Sequence, residues 1–490
     1  MNLVTCSSAP TMDALRFYNT LTRRKEEFRP IEPGHVRMYT CGPTIHDYAH
    51  LGNYRAYIFE DLLRRTLKFF GYKVTQVMNV TDVDDKTIRK SREQGLTLEE
   101  YTRKFKEAFF EDLDALGIER AEHYPAATEH IPEMVDLVQK LIEKGHTYES
   151  EGSIYFRISS FPQYGRLANV RADGLRACLR VDADEYEKED VRDFALWKAW
   201  TPDDGDVYWD TPLGRGRPGW HIECSAMSTK YLGTHFDIHT GGVDNMFPHH
   251  ENEIAQSVCG YGDKFVNVWM HNAHLVINGE KMSKSLGNFF TLRDVTSAGI
   301  STRIVRYFLL SAHYRQPLNL IYDPKTGNTE SFNAVKGALE RIDEFRTRLS
   351  ELRLHSAAGD IVSAEVDRIL ADARTSFRSS LANDLDISGA LGALFSLIKE
   401  GNRLLAGGQM TSADAEAIEF LLKSWDKVLG VLEPETKSEI DAARIEALIA
   451  ERNEARRARN FARSDEIRDQ LAAEGIIIQD TPDGTRWRRK

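Results

Sequence analysis

Met38-Tyr-Thr-Cys-Gly-Pro-Thr-Ile-His-Asp-Tyr-Ala-His-Leu-Gly-Asn53 is the stretch on which the fold turns. The apolar run His35-Val-Arg-Met-Tyr39 reads as a strand, and it stops at Cys41-Gly42-Pro43, where Gly and Pro break regular structure. From Arg55 to Phe70 apolar residues recur at helical spacing. A strand that turns through small residues into a helix aims the helix N-terminus, with its unpaired N–H groups and positive dipole end, above the sheet edge. That is a phosphate site in the making. Gly52, inside His50-Leu-Gly-Asn53, removes a side chain that would hold a nucleotide base or phosphate off the backbone. On its own the string reads equally as a capped helix with surface histidines.

A second stretch, Lys281-Met-Ser-Lys-Ser285, lies on a Gly-flanked loop between Val276-Ile277 and Phe289-Phe290. Lys281 and Lys284 on a loop of small hydroxyl residues can close on a triphosphate and neutralise charge as it develops. An ordinary basic turn has the same composition, so it is the pair of stretches that carries weight.

After the first helix, Lys73-Val-Thr-Gln-Val-Met-Asn-Val-Thr81 reads as the next strand, giving the strand-helix-strand unit of a parallel sheet. Its end, Thr81-Asp-Val-Asp-Asp-Lys86, falls at the carboxyl edge where open α/β sheets bind ligands. The aspartates there read as helix caps for the most part, with metal ligation as the alternative. Residues 91–116 and 131–145 carry helical periodicity, Ser153-Ile-Tyr-Phe-Arg-Ile158 alternates, and 166–193 is charged with few apolar anchors. That shift marks an insertion between two halves of a nucleotide-binding fold. Gly214-Arg-Gly-Arg-Pro-Gly219 matches the dinucleotide fingerprint formally, but no strand precedes it and a proline interrupts it, so it reads as a turn.

Metal-ligand residue types gather around the second half. Trp220-His-Ile-Glu-Cys224 begins a helix, Phe236-Asp-Ile-His239 reads as a strand entering the Gly241-Gly242 turn, and His249 and Glu253 fall one helical turn apart in Phe247-Pro-His-His-Glu-Asn-Glu253. Cys224, His249 and Glu253, with the distant Cys41 at a strand end, make a tetrahedral zinc set. Each alone is weak, since lone cysteines are usually small core residues. His250 should point about 100° away round the helix and is not expected to share the ion.

His50-Leu-Gly-Asn53 and Lys281-Met-Ser-Lys-Ser285 resemble the two signature motifs of class I aminoacyl-tRNA synthetases. The surrounding sequence, Gly219-Trp-His-Ile-Glu-Cys-Ser225 and Phe247-Pro-His-His-Glu-Asn-Glu253 above all, resembles the cysteinyl-tRNA synthetases of bacteria over nearly the whole chain. One departure is Asn53, where the family's naming form of the motif has His. The resemblance implies a Rossmann-like α/β catalytic domain in two halves, 1–125 and 218–295, with a connective insertion, 126–217, near the acceptor end of tRNA. It further implies a stem-contact region, 296–330, an α-helical bundle, 331–432, on the anticodon arm, and a basic C-terminal mixed module, 433–490. It implies one zinc ion per subunit on Cys41, Cys224, His249 and Glu253, and a Mg²⁺ ion carried with ATP. His46, His50, Gly52, Asn53 and Lys284 fall at ATP contacts, with His50, Asn53, Lys281 and Lys284 catalytic, and Thr81 and Trp220 fall in the substrate cysteine pocket. The implied reaction is activation of L-cysteine with ATP to cysteinyl adenylate, releasing pyrophosphate, and transfer to the 3′ end of tRNA(Cys).

The metal has a physical rationale in that reading. Sulfur and oxygen differ little in shape, so an apolar pocket discriminates them by only about 10²-fold. Zinc binds a thiolate strongly and a protonated hydroxyl poorly. Specificity set by the ion would remove the need for an editing domain, and none is evident in the sequence.

With 490 residues the chain exceeds one core, and two to four domains are expected. It is 41% hydrophobic and 28% charged, without a run of about 18 apolar residues or a basic-then-apolar N-terminus, so a soluble cytoplasmic protein without membrane contact is expected; a monomer is a separate expectation that composition does not decide. Cys6, Cys41, Cys178, Cys224 and Cys259 are too scattered for a disulfide framework. The net charge of −11 excludes a globally basic nucleic-acid binder but not a local basic face. Such a face is offered by Arg452, Arg456, Arg457, Arg459 and Arg463 on a helix read from 445 to 474, followed by a strand pair at 475–479 and 485–490 that carries Trp487. Those arginines either pair with Glu451 and Glu454 or grip phosphates beside a stacked base. A cysteine ligase of the mycothiol pathway would share the catalytic part but lack this tail, and a non-catalytic RNA-binding relative would not need the lysines and ligand residues.

Overall fold

Strand period and helix period decide how the first half assembles. In the computed structural model His35–Thr40 (β3) is a strand, and a helix, Leu51–Phe69 (α1), leads on to a further strand, Lys73–Met78 (β4). Two more strands, Phe236–Gly242 (β10) and Val266–Asn272 (β11), complete a parallel sheet of order β11-β10-β3-β4. The numbering allows for a short N-terminal hairpin, Arg16–Asn19 (β1) with Arg24–Glu27 (β2), and for the insertion strands given below. The model describes residues 14–170, 193–262, 264–283, 286–355 and 361–433, then 448–449, 451–453, 455–456, 460–473, 476–481 and 484–489. Lys284, Cys6, Cys178, Glu454, Arg457, Arg459 and most of 166–193 lie outside them.

Alternation along β3 sorts its side chains between two cores. Val36 and Met38 join the apolar cluster that contains Leu51, Ile58 and Leu62 of α1, while Tyr39 and Cys41 join one with Cys224, Met227, Phe236 and Trp269. The second cluster is closed by the helix Trp220–Leu232 (α5), numbered after the helices Asp85–Glu93 (α2), Leu98–Ala115 (α3) and Ile131–Glu143 (α4). The 91–116 periodicity is thus two helices, split at Gln94-Gly95, where Gly95 takes a positive φ.

The insertion packs α4 on an antiparallel sheet of Thr147–Ser150 (β5), Ser153–Phe156 (β6), Phe194–Ala199 (β7), Trp209–Thr211 (β8) and Gly214–Pro218 (β9). The glycine-rich 214–218 run is therefore a strand paired on both sides rather than a turn, because its glycines admit close neighbours: a Cβ on Gly216 would sit 2.1 Å from the Lys198 carbonyl oxygen. Arg217 anchors this sheet to α2 through Asp85 and to the 202–204 turn through Asp204. Of the aspartates after Thr81, only Asp84 caps a helix; Asp82 accepts from Thr128 and Asp85 pairs with Lys198 and Arg217.

Past the sheet, Leu292–Ser297 (α7) and Thr302–Leu310 (α8) lead to the helices Glu330–His355 (α9), Ala364–Ala382 (α10), Ile387–Ala406 (α11) and Ser412–Leu429 (α12). The buried Arg306 of α8 bonds Asp61 of α1 at 2.6 Å and the carbonyls of Leu116 and Leu429 at 3.0 Å each. Burial alone would raise the Asp61 carboxyl, but the Arg306 and Arg65 guanidiniums hold it below its usual range.

The chain divides into two compact units, Met1–Leu432 and Glu433–Lys490. In the second, Phe461–Ala473 (α13) packs Ile467 and Leu471 on Ile476, and Ile476–Thr481 (β12) pairs antiparallel with Gly484–Arg489 (β13). Arg463 is bound to Glu451 and Glu466, the acid-paired arrangement. Among the described residues no helix is long and apolar enough to cross a membrane.

One buried acid gives the fold a pH signature. Glu60 of α1 is fully buried, bonded to Thr240 Oγ at 2.9 Å with its other oxygen unpartnered among the described residues, and burial pushes its carboxyl up to about 8. A folded value above the unfolded one means the folded chain binds the extra proton. The contribution is full below about pH 4.5 and is lost as pH rises to about 8. Glu60→Gln is expected to flatten the fall in urea-unfolding free energy across that window and to be more stable than wild type, by a few kcal/mol, at pH 8.5.

Candidate active site and metal centre

The carboxyl ends of β3, β4 and β10 open on a cleft of ≈ 440 Å³. Cys41 extends β3 by one residue, and its N–H donates to Thr240 O of β10 at 3.3 Å. Across it stands Cys224 on α5. The third contributor is a wide turn, Met246–His250, in which His250 N–H donates to Asn245 O and Phe247 is extended (φ −141°, ψ 130°), followed by the helix Glu251–Tyr261 (α6). Sγ of Cys41 and Cys224, a ring nitrogen of His249 and a Glu253 oxygen lie within 4.8 Å of one another, all buried.

Several observations fit this quartet to a divalent cation. Glu253 Oε1 is 3.1 Å from His249 Nε2 yet is left without a hydrogen bond of good geometry, so the two atoms face a shared point rather than each other. The mutual hydrogen bond and burial push the Cys41 thiol up; at Cys224 the bond with Cys41 pulls down, but burial carries it above the ordinary range. Two adjacent thiolates therefore need a cation. Burial, first, lowers His249 to about 3, which keeps its imidazole neutral and able to ligate.

Cys41, His239, His250 and Glu253 form a second, overlapping quartet. Its histidines are already engaged: His239 with Glu253 Oε2 at 2.8 Å, and His250 with His271 at 2.8 Å and Cys41 Sγ at 3.2 Å. Cys41, Cys224 and His249 line the cleft while His239 and His250 do not, so this pair buttresses the first set in the manner of outer-shell partners. His250 Nε2 lies 3.2 Å from Cys41 Sγ, nearer the quartet than the sequence expectation placed it, yet it does not line the cleft.

At the other wall, His50 caps α1. Its Nδ1 accepts from Asn53 N–H at 3.2 Å and Asn53 Oδ1 accepts from His50 N–H at 3.0 Å, a reciprocal box. Leu51 N–H donates to Phe290 O, so among the first-turn amides that of Gly52 is the one with no partner among the described residues. Gly52 also lets the Lys281 loop come down: a Cβ there would be 2.6 Å from Met282 Cε and 2.9 Å from the His50 ring. Lys281 is exposed and lines the cleft, and Asn288 clips the loop by bonding Ser283 N–H and Lys281 O. His46 lines the cleft with Nδ1 buried and unpartnered among the described residues, and burial lowers its basicity.

Thr81 faces the same space, bridged to Thr44 and hydrogen-bonded to Glu223. Trp220 is 45% exposed and stacks on His249 at 4.5 Å, which removes the core-residue alternative for it. Sequence reasoning missed Glu223 and Asp244. Gly241-Gly242 is not the turn expected from the sequence but the paired end of β10, and that glycine pair was the signal for Asp244, which lines the cleft: a Cβ on Gly242 would be 2.3 Å from Asp244 Oδ1.

A parallel nucleotide-binding sheet with an N-capped helix, a lysine loop over that cap and a helical second half defines a class I aminoacyl-tRNA synthetase. Residues 27–324 match the family model described as tRNA synthetases class I (C) catalytic domain, 376–433 a DALR domain, and 442–488 a cysteinyl-tRNA ligase anticodon binding domain. A cysteine-tRNA ligase of Brachyspira hyodysenteriae is 50% identical over 98% of this chain and 100% of its own length. One of Protochlamydia amoebophila is 48% identical over 97% and 98%. In fold the chain resembles Mycobacterium tuberculosis methionyl-tRNA synthetase (TM-score 0.57, 15% identity, 81% of this chain and 90% of that one). It also resembles an Agrobacterium radiobacter leucyl-tRNA synthetase (TM-score 0.59, 13% identity, 83% and 85%). The chain belongs to the cysteinyl-tRNA synthetase family: it is a cysteine-tRNA ligase, and binds tRNA, ATP and cysteine.

The Gly52 contact yields a test. Gly52→Ala is expected to weaken the cap by about 1 kcal/mol and to lower cysteine-dependent pyrophosphate exchange about tenfold; adding Met282→Ala should recover part of the rate, because it removes the nearer of the two clashes.

Proposed function

We propose that zinc, one ion per subunit, is held by Cys41, Cys224, His249 and Glu253 and selects cysteine by its sulfur. The observation that carries this reading is the convergence of those four buried ligand atoms, three of them on residues that line the cleft that α1 enters with its capped first turn. When bound, zinc supplies an affinity for thiolate that a serine hydroxyl does not match. Everything else is asked of the chain's own groups. Trp220, stacked on His249, walls the sulfur end, and Thr81 faces the amino-acid end.

The cysteine carboxylate attacks the α-phosphate of ATP in line and pyrophosphate leaves; the adenylate is then captured by a ribose hydroxyl at the 3′ end of tRNA(Cys). Little covalent chemistry falls to the protein, so positioning and charge neutralisation dominate. His46, His50, Gly52 and Asn53 form the ATP wall, with the Gly52 N–H and the positive end of α1 facing phosphate. The His50–Asn53 box explains how Asn serves at the fourth motif place: its amide oxygen closes the cap. Lys281 and Lys284 neutralise the departing pyrophosphate, and Mg²⁺ arrives with ATP.

The same reading assigns residues 1–125 and 218–295 to the catalytic domain and the insertion, 126–217, to the acceptor end of tRNA. Region 296–330 contacts the stem, the bundle 331–432 the anticodon arm, and the basic module 433–490 the anticodon, in a cytoplasmic monomer. The tail distinguishes this enzyme from an amino-sugar ligase, for which such a module has no use.

Metal analysis tests the proposal. Purified wild type is expected to carry about one zinc per chain and Cys224→Ala close to none, since loss of a ligand weakens a tetrahedral site. A wild type empty of transition metal that still prefers cysteine to serine in pyrophosphate exchange would overturn it.

A further inference from the structure

We infer that Glu223 is a positioning residue for the amino acid: by taking the hydroxyl hydrogen of Thr81 it leaves Thr81 Oγ able only to accept, and so dedicates that oxygen to the substrate's ammonium group. The inference rests on the reading of the cleft as the cysteine site given above.

The hydrogen-bond inventory around Thr81 is short. Its Oγ donates to Glu223 Oε2 at 2.8 Å and accepts from Asn79 Nδ2 at 3.2 Å. A hydroxyl has one hydrogen and two lone pairs, so one lone pair is left. The backbone cannot rotate that choice away, because Thr81 N–H donates to Pro43 O and Thr81 O accepts from Ile45 N–H, both at 3.0 Å. An oxygen restricted to accepting binds an N–H donor and repels a carboxylate. Of the charged ends of an amino acid, it therefore suits the ammonium.

Glu223 has no other visible use. It is 1% exposed and does not line the cleft, and its Oε1 has no partner among the described residues. A buried carboxyl with an orphaned oxygen costs folding free energy that an apolar side chain would not. The Thr81 bond does not require an ionised carboxyl, since a proton carried on Oε1 leaves Oε2 as the acceptor. Glu223 and Cys224 are also consecutive on α5, diverging by about 100°, so one helical turn positions both the Thr81 hydroxyl and a sulfur at the ion site. The two ends of the substrate are thereby registered to each other.

The test compares L-cysteine with 3-mercaptopropionate, which keeps the thiol and carboxylate and lacks the ammonium. Dissociation constants are measured by calorimetry on the zinc-loaded full chain, without ATP. Wild type is expected to prefer cysteine about tenfold or more, the worth of a hydrogen bond to a charged group. Glu223→Leu, with wild-type metal content and circular dichroism, should bring that preference to within about twofold by weakening cysteine alone. Thr81→Val should lose as much and the double variant no more, whereas Glu223→Gln, which keeps a carbonyl acceptor, should retain the preference. Equal weakening of both ligands in Glu223→Leu, or an undiminished preference, overturns the inference and leaves the cleft reading standing. Should Glu223→Leu not fold, an unchanged preference in Thr81→Val overturns it equally. A zinc-loaded wild type that binds neither thiol sinks the cleft reading itself.

Discussion

The in-register parallel pairing of β3 with β10 is the constraint on which the active site depends. Met38, Tyr39 and Thr40 lie beside Ile238, His239 and Thr240, so the strand ends are level and Cys41 emerges beside Gly241 at the end of β10. Slippage by one residue would exchange the two faces of β3 and send Cys41 towards α1 in place of α5. The ion site is thus a property of strand register before it is a property of ligand identity. Burial behind it is dense: Tyr39, His239, Glu253 and Trp269 are each at most 1% exposed, so the ligands have little room to reorganise.

The opposite wall works by a different principle. Its residues act through backbone capping and close approach rather than through a buried core. His50 and Asn53 spend their side chains on each other's amides, Phe290 covers Leu51 N–H, and Gly52 admits Met282. In the proposed reading, sulfur recognition falls on the rigid side of the cleft and phosphate recognition beside a loop, a division suited to a substrate that stays and a pyrophosphate that must depart.

Much of this was legible in the sequence, and the reasons are local. The strand, the breaker Cys41-Gly42-Pro43 and the amphipathic α1 follow from period and punctuation, and Cys224, His249 and Glu253 are recognisable as metal-ligand types at workable spacing. What escaped reading depends on tertiary partners. The run from Gly214 to Pro218 lacks β-branched or apolar residues, and only the neighbours β7 and β8 make it a strand. Glu223 looks like any helical acid until Thr81, 142 positions away, is seen to be its partner. In the C-terminal unit the arginine-rich stretch was open between acid pairing and phosphate contact, and Arg463 takes the former.

Arg306 has a mechanical consequence. Its guanidinium fastens α1, the end of α3 and the end of α12 at one dry point, and Gly430 leaves no slack there, since a Cβ at that position would lie 2.9 Å from Arg306 Nε. Asp61, where the rivet grips α1, stands about 15 Å along the helix from its capped first turn. A strut therefore runs between α12 and α1, and a load applied to α12 is delivered to the helix whose capped first turn floors the cleft.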